Sequence, residues 1–139
     1  MKTRNQIFLA VTMLLTIAFF SNNAMAQKKP GPWETPAKFK TMKNPVKATD
    51  AEASATGKTL YAKHCKSCHG AQGLGDGPKG STLKTLTGDF SSKDFQAFSD
   101  GELFYKITAG RDEMPAYDKK VPDEADRWAL VNFLRTLKK

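Results

Sequence analysis

The chain is poor in the residues that usually staple or charge a small fold. It has two cysteines and two histidines in 139 residues. Both cysteines, Cys65 and Cys68, fall in one short motif, so no disulfide framework is available. A closed zinc site needs four ligands, and beyond Cys65, Cys68 and His69 the chain offers only His64 as a further histidine and no further cysteine. No apolar run is long enough for a bilayer: Ile7 to Phe20 gives 14 residues where about 20 are required. Strand-like alternation is absent throughout, which excludes a sheet and leaves an all-α domain. Acidic residues are the minority, 14 against 22 basic ones, for a formal charge of +8.

The first residues read as an address. Lys2 and Arg4, the apolar run and the Ala24-Met25-Ala26 ending make a secretory signal, with cleavage expected after about Ala26. No cysteine follows that point to carry a lipid, and the run is too short to serve as an anchor, so the sequence predicts a periplasmic or otherwise exported protein. Losing Lys2 and Arg4 leaves 20 basic residues against 14 acidic ones, a formal +6. An exported chain with scattered lysines is no nucleic-acid binder. The surplus suits a solvated surface, or a basic face that steers the chain onto acidic partners.

What is present is Cys65-Lys66-Ser67-Cys68-His69, the pattern C-x-x-C-H. Two thiols at this spacing with an adjoining imidazole suit covalent attachment of haem c, the thiols bonding the vinyl groups and His69 holding the iron. A thioredoxin-type redox motif would need a βαβ setting, which this chain lacks. About 90 residues make one small core, and a covalently joined haem would be its staple. Two haem propionates would bring the charge to about +4.

Taken in order, residues 27–48 hold four prolines and six lysines and read as a tether or strap. Trp33, Phe39 and Met42 suit a strap that lies on the domain or on a partner. Residues 49–139 form the domain. Thr49 and Glu52 make a capping box, and Gly57, Leu60, Tyr61 and His64 share one helical face leading into Cys65. Five glycines among residues 70–80 imply a turning loop on the His69 side, and Leu83 to Ala97 is irregular with one short helix. Ser99 and Glu102 cap a second helix that ends at Gly110, with Leu103, Phe104 and Ile107 inward and Phe98 placed to staple Leu103. Pro122, Asp123 and Asp126 open the last helix. Its stripe of Leu130, Phe133, Leu134 and Leu137 is widened by Trp128 and Val131, with Asn132, Arg135 and Thr136 opposite.

The second iron ligand decides between carrier and catalyst. His64 adjoins Cys65 and suits packing better than ligation. After the cleavage point the methionines are Met42 and Met114. Met42 lies in the strap. Met114 is the one apolar residue of the polar loop Gly110 to Pro115, and Pro115 restricts its backbone to an extended form. The residues therefore favour Met114.

Three segments, Gly57-x-x-x-Tyr61-x-x-x-Cys65-x-x-Cys68-His69, Gly110 to Tyr117 and Trp128 to Leu137, resemble those of a bacterial class I cytochrome c over Thr49 to Lys139. The resemblance implies the all-α cytochrome c fold with its first and last helices crossing near a right angle, Gly57 and Tyr61 meeting Leu130 and Phe133. It implies His69 and Met114 as the axial iron ligands, and Pro78 as the carbonyl that accepts the His69 N–H. It further implies an electron carrier, not an enzyme, that docks on redox partner proteins with acidic faces. Alternatives are a haem subunit of a membrane respiratory or dehydrogenase complex, and a gas-binding or catalytic haem protein.

Overall fold

The computed structural model describes residues 26–139. The expected secretory signal lies almost wholly outside these described residues. Six helices follow in order: α1 (Ala37–Lys40), α2 (Ala51–His64), α3 (Lys66–His69), α4 (Lys93–Gln96), α5 (Asp100–Ala109) and α6 (Glu124–Thr136), with a 3-10 turn at Gly80–Thr82 before α4. Among the described residues extended pairing is limited to two isolated bridges, Lys28 with Thr85 and Arg111 with Met114. No described helix is long and apolar enough to cross a membrane.

The helix ends follow from their caps. Ser99 and Glu102 form the expected reciprocal box, at 3.2 Å and 2.8 Å, and Gly110 closes α5 at φ 62°. Asp123 caps α6 by accepting the Ala125 N–H. The cap of α2 is Asp50, one residue beyond the expected Thr49. The Asp50 carboxylate accepts both the Glu52 and Ala53 N–H groups at 3.0 Å. Its charge also suits the positive end of the helix, which a Thr hydroxyl cannot match.

Helices α2 and α6 meet at Gly57. A Cβ there would fall 2.8 Å from the Ala129 carbonyl carbon and 3.2 Å from Phe133 Cβ, so only glycine permits this approach. One turn on, the Tyr61 ring packs on Phe133 with centroids 4.8 Å apart. Trp128 stacks on Phe104 at 4.1 Å and ties α6 to α5, whose Leu103, Phe104 and Ile107 are buried as expected. Leu130, Val131 and Leu134 complete the core, while Phe133 and Leu137 lie at its margin.

The other side of α6 is not a free solvent face. Arg135 donates to Asp100 at 2.9 and 2.7 Å and to the backbone carbonyls of Gln96 and Phe98, clamping the start of α5. Asn132 donates to the Val46 carbonyl and accepts from Asn44. These polar side chains point away from the core, but chain from outside the helix comes to meet them.

For Arg135 that chain is the segment from Gln96 to Asp100, and for Asn132 it is the strap. The Gln27 amide donates to the Gly80 and Leu83 carbonyls, and Lys28 pairs its backbone with Lys84 and Leu86. Trp33 lies beneath two cations, Lys106 Nζ at 4.9 Å and the Arg111 guanidinium at 4.6 Å from its ring. Lys106 is only 6% exposed, and it donates to the Trp33 carbonyl and the Thr35 hydroxyl. No helical pattern is legible here, yet Ala37–Lys40 close one turn that sets Phe39 against Tyr105, 4.8 Å between rings. Tertiary contact, not propensity, supports so short a helix.

Candidate haem site

The site starts at the C-terminal end of α2. Cys65 caps that helix by donating its N–H to the Tyr61 carbonyl, and the backbone then makes one more turn, α3. The Cys68 and His69 N–H groups both donate to the Cys65 carbonyl, at 3.1 and 2.9 Å. Residues three and four apart in a helical turn share a face. The spacing of the motif thus brings two thiols and an imidazole to one side of the chain.

That side borders a cavity of about 370 Å³. Cys65, Cys68, His69, His64 and Met114 all line it, together with Phe90, Leu103, Ile107 and Tyr117. Four of the residues singled out by sequence, Cys65, Cys68, His69 and Met114, are therefore brought together. The fifth, Pro78, is not among the lining residues. The bond implied for it is not made: its carbonyl accepts from Ser81 Oγ at 3.1 Å, and His69 Nδ1 is buried without a hydrogen-bond partner. The glycine loop packs its backbone on the attachment turn instead. The Lys79 N–H donates to the Ser67 carbonyl, and a Cβ on Gly77 would lie 2.6 Å from that same oxygen.

The chemistry of the lining suits a covalently held haem. Both thiols are free, and burial, with Cys68 nearby, pushes the Cys65 thiol up to about 12. Burial also pushes the His69 imidazole down to about 4, so near neutral pH it is uncharged and able to ligate. Its ring stacks on Phe90 with centroids 4.3 Å apart, which fixes its plane.

Two tyrosines frame the attachment turn, and only Tyr61 had a legible helical position. Tyr61 donates to the Gly70 carbonyl at 2.7 Å and Tyr117 to the His64 carbonyl at 2.9 Å. Burial, followed by the thiols nearby, raises Tyr117 to about 12, and burial raises Tyr61 as well. Between pH 10 and 12 the unfolded chain therefore holds fewer phenolic protons than the folded one, and stability falls as pH rises. Urea midpoints should drop across this range. Tyr117→Phe should flatten the drop, and an equal slope in that variant would refute the assignment.

Apart from Trp33, which suited a strap lying on the domain, the other parts of the site carried no sequence signal. Pro30 to Trp33 of the strap, Thr85 and Leu86 all line the cavity, as do Lys106 and Arg111. Nothing periodic marks them, because each arrives from a distant segment.

Residues 52–134 match the sequence model of the family described as cytochrome C oxidase, cbb3-type, subunit III, over more than half of the chain. The chain belongs to this family of c-type cytochromes. Its cofactor is accordingly haem c with iron, and both thiols needed to hold it are present. No curated protein matches the cytochrome. Among solved structures it is similar to a chain of the Kuenenia stuttgartiensis reducing HAO-like protein complex Kustc0457/Kustc0458 (26% identity, TM-score 0.61). That match covers 68% of this cytochrome but 47% of the other chain, so it spans less than half of that relative. It is also similar to the KustC0563 c-type cytochrome, with 33% identity and TM-score 0.47 over 60% of this chain and 98% of that one. The helical architecture is that of the cytochrome c fold, and the domain is one of electron transfer.

Proposed function

We propose that the cytochrome is an exported single-haem electron carrier, with Cys65 and Cys68 as thioether attachments and His69 and Met114 as axial iron ligands. The observation that carries this reading is one cavity lined at once by the C-x-x-C-H turn and by Met114. When bound, the haem iron accepts and returns a single electron. The protein's part is to hold that iron in one setting. His69 stays uncharged, Met114 takes the position a substrate or gas would need, and apolar side chains such as Phe90, Leu103 and Ile107 keep water away. Little then reorganises as charge moves. A His/Met pair also favours a raised potential. The basic surplus of the exported chain supports brief docking on acidic redox partners, weakened by salt.

A second reading makes the chain a haem subunit of a larger respiratory assembly. The family's description as an oxidase subunit and the similarity to part of a chain from a multi-protein complex favour it. Carbon monoxide tests the closed site that the carrier requires. The reduced, haem-loaded protein should show no spectral change under carbon monoxide. Prompt binding would overturn the carrier reading and favour a gas-binding or catalytic one. Co-purification with membrane proteins that survives high salt would favour the subunit.

A further inference from the structure

We infer that Glu113 is a positioning residue that braces the Met114 turn against the cavity, and so sets how firmly the sixth ligand is held. This rests on the reading of Met114 as an iron ligand.

Met114 closes a two-residue turn. The Arg111 N–H donates to the Met114 carbonyl at 2.9 Å, and the Met114 N–H donates to the Arg111 carbonyl at 2.8 Å. Between them Asp112 stands at φ 52°, a left-handed conformation uncommon for side-chain-bearing residues, though aspartate tolerates it better than most. Asp112 and Glu113 are exposed, so packing does not hold the tip of this turn.

Hydrogen bonds from two other segments do. The Glu113 carboxylate uses both oxygens, accepting the Lys84 N–H at 3.1 Å and the Thr85 N–H at 3.0 Å. On the other side, the Arg111 guanidinium donates to the Gly31 and Pro32 carbonyls at 3.1 and 2.8 Å and lies over Trp33. The two anchoring segments are themselves joined, since the Lys28 N–H donates to Lys84 and the Leu86 N–H donates to Lys28. Turn, strap and segment 84–86 thus form a closed ring of bonds at the cavity. The strap lies outside residues 52–134, so part of this ring is supplied by chain beyond the family match.

The role is separable from folding. Glu113 is exposed and contributes nothing to the core, so removing its carboxylate should free the turn without unfolding the domain. An external ligand can reach the iron only when Met114 is off. Its apparent affinity therefore scales with the population of that open state.

The test is imidazole binding to the oxidised, haem-loaded full chain, followed by absorption. Glu113→Ala should bind imidazole about tenfold more tightly than the unaltered protein, a change worth about 1.4 kcal/mol. Glu113→Gln keeps one neutral acceptor oxygen and should fall between them. Ser99→Ala removes a helix cap away from the turn; it should lower the unfolding midpoint and leave imidazole affinity unchanged. Equal affinity in Glu113→Ala and the unaltered protein, with the methionine-to-iron charge-transfer band present in both, overturns the inference and leaves the Met114 reading standing. Absence of that band from the unaltered protein overturns the Met114 reading, and this inference with it.

Discussion

Replacing Met114 by alanine should abolish the methionine-to-iron charge-transfer band of the oxidised protein. It should also lower the reduction potential by on the order of 0.1 V, within the about 0.8 V that axial ligation spans. The turn should survive, because both of its hydrogen bonds are backbone to backbone and Pro115 still restricts the chain. What goes is the thioether, which lies partly buried against the core. The space it leaves would admit small ligands, and carbon monoxide should then bind the reduced variant. The lost packing should lower stability by about 1–2 kcal/mol, since the methionine is not fully enclosed, and loss of the iron bond adds to that. Absorption spectra and voltammetry decide the matter. An unchanged band and potential would sink the ligand assignment.

Gly57→Val should be the most damaging single change to the fold. Helix propensity alone argues the other way, because glycine inside a helix is about 1 kcal/mol worse than alanine. Packing decides the sign. The added Cβ would meet the Ala129 carbonyl group and Phe133 Cβ, atoms of a buried helix that cannot swing aside. Overpacking costs about 1–3 kcal/mol for small insertions, and valine adds two further methyls beyond the first carbon. The helices must separate, which also displaces Cys65 at the end of α2. A thermal midpoint lower by about 10 °C or more is expected in the haem-loaded protein. A Gly57→Val midpoint at or above that of the parent would show that the two helices do not meet as described.

Local chemistry accounts for what could be read in advance. Ser99 with Glu102, Asp123 and Gly110 mark helix ends through bonds to residues two to four positions away, and such bonds leave a sequence pattern. So do the apolar stripes of α5 and α6, and the thiols and imidazole of the attachment turn. The misreadings have a common origin. Thr49 and Asp50 are both competent caps, and only the path of the chain selects between them. Asn132 and Arg135 read only as the side opposite the apolar stripe, because their partners, Val46 and Asp100, lie 86 and 35 residues away. Glu113 and Arg111 read as ordinary loop charges for the same reason. Pro78 is a different case, a position matched by motif whose carbonyl accepts from Ser81 while His69 Nδ1 is without a partner.

The strap also closes long loops of chain. Asn44 and Val46 bond to Asn132, and the Asn44 amide bonds to the Trp128 carbonyl, 84 residues on. Chain synthesised earlier thus waits for chain synthesised later, and closing so long a loop carries an entropic cost. Until α6 is in place, the segment carrying Trp33 lacks part of its final mooring, and the cavity lacks a settled wall. The backbone bonds that close the attachment turn, by contrast, join residues only three or four apart, Cys65 to Tyr61 and Cys68 and His69 to Cys65. The wall that the strap gives the cavity therefore closes a far longer loop than the turn that carries the thiols, at a greater cost in chain entropy.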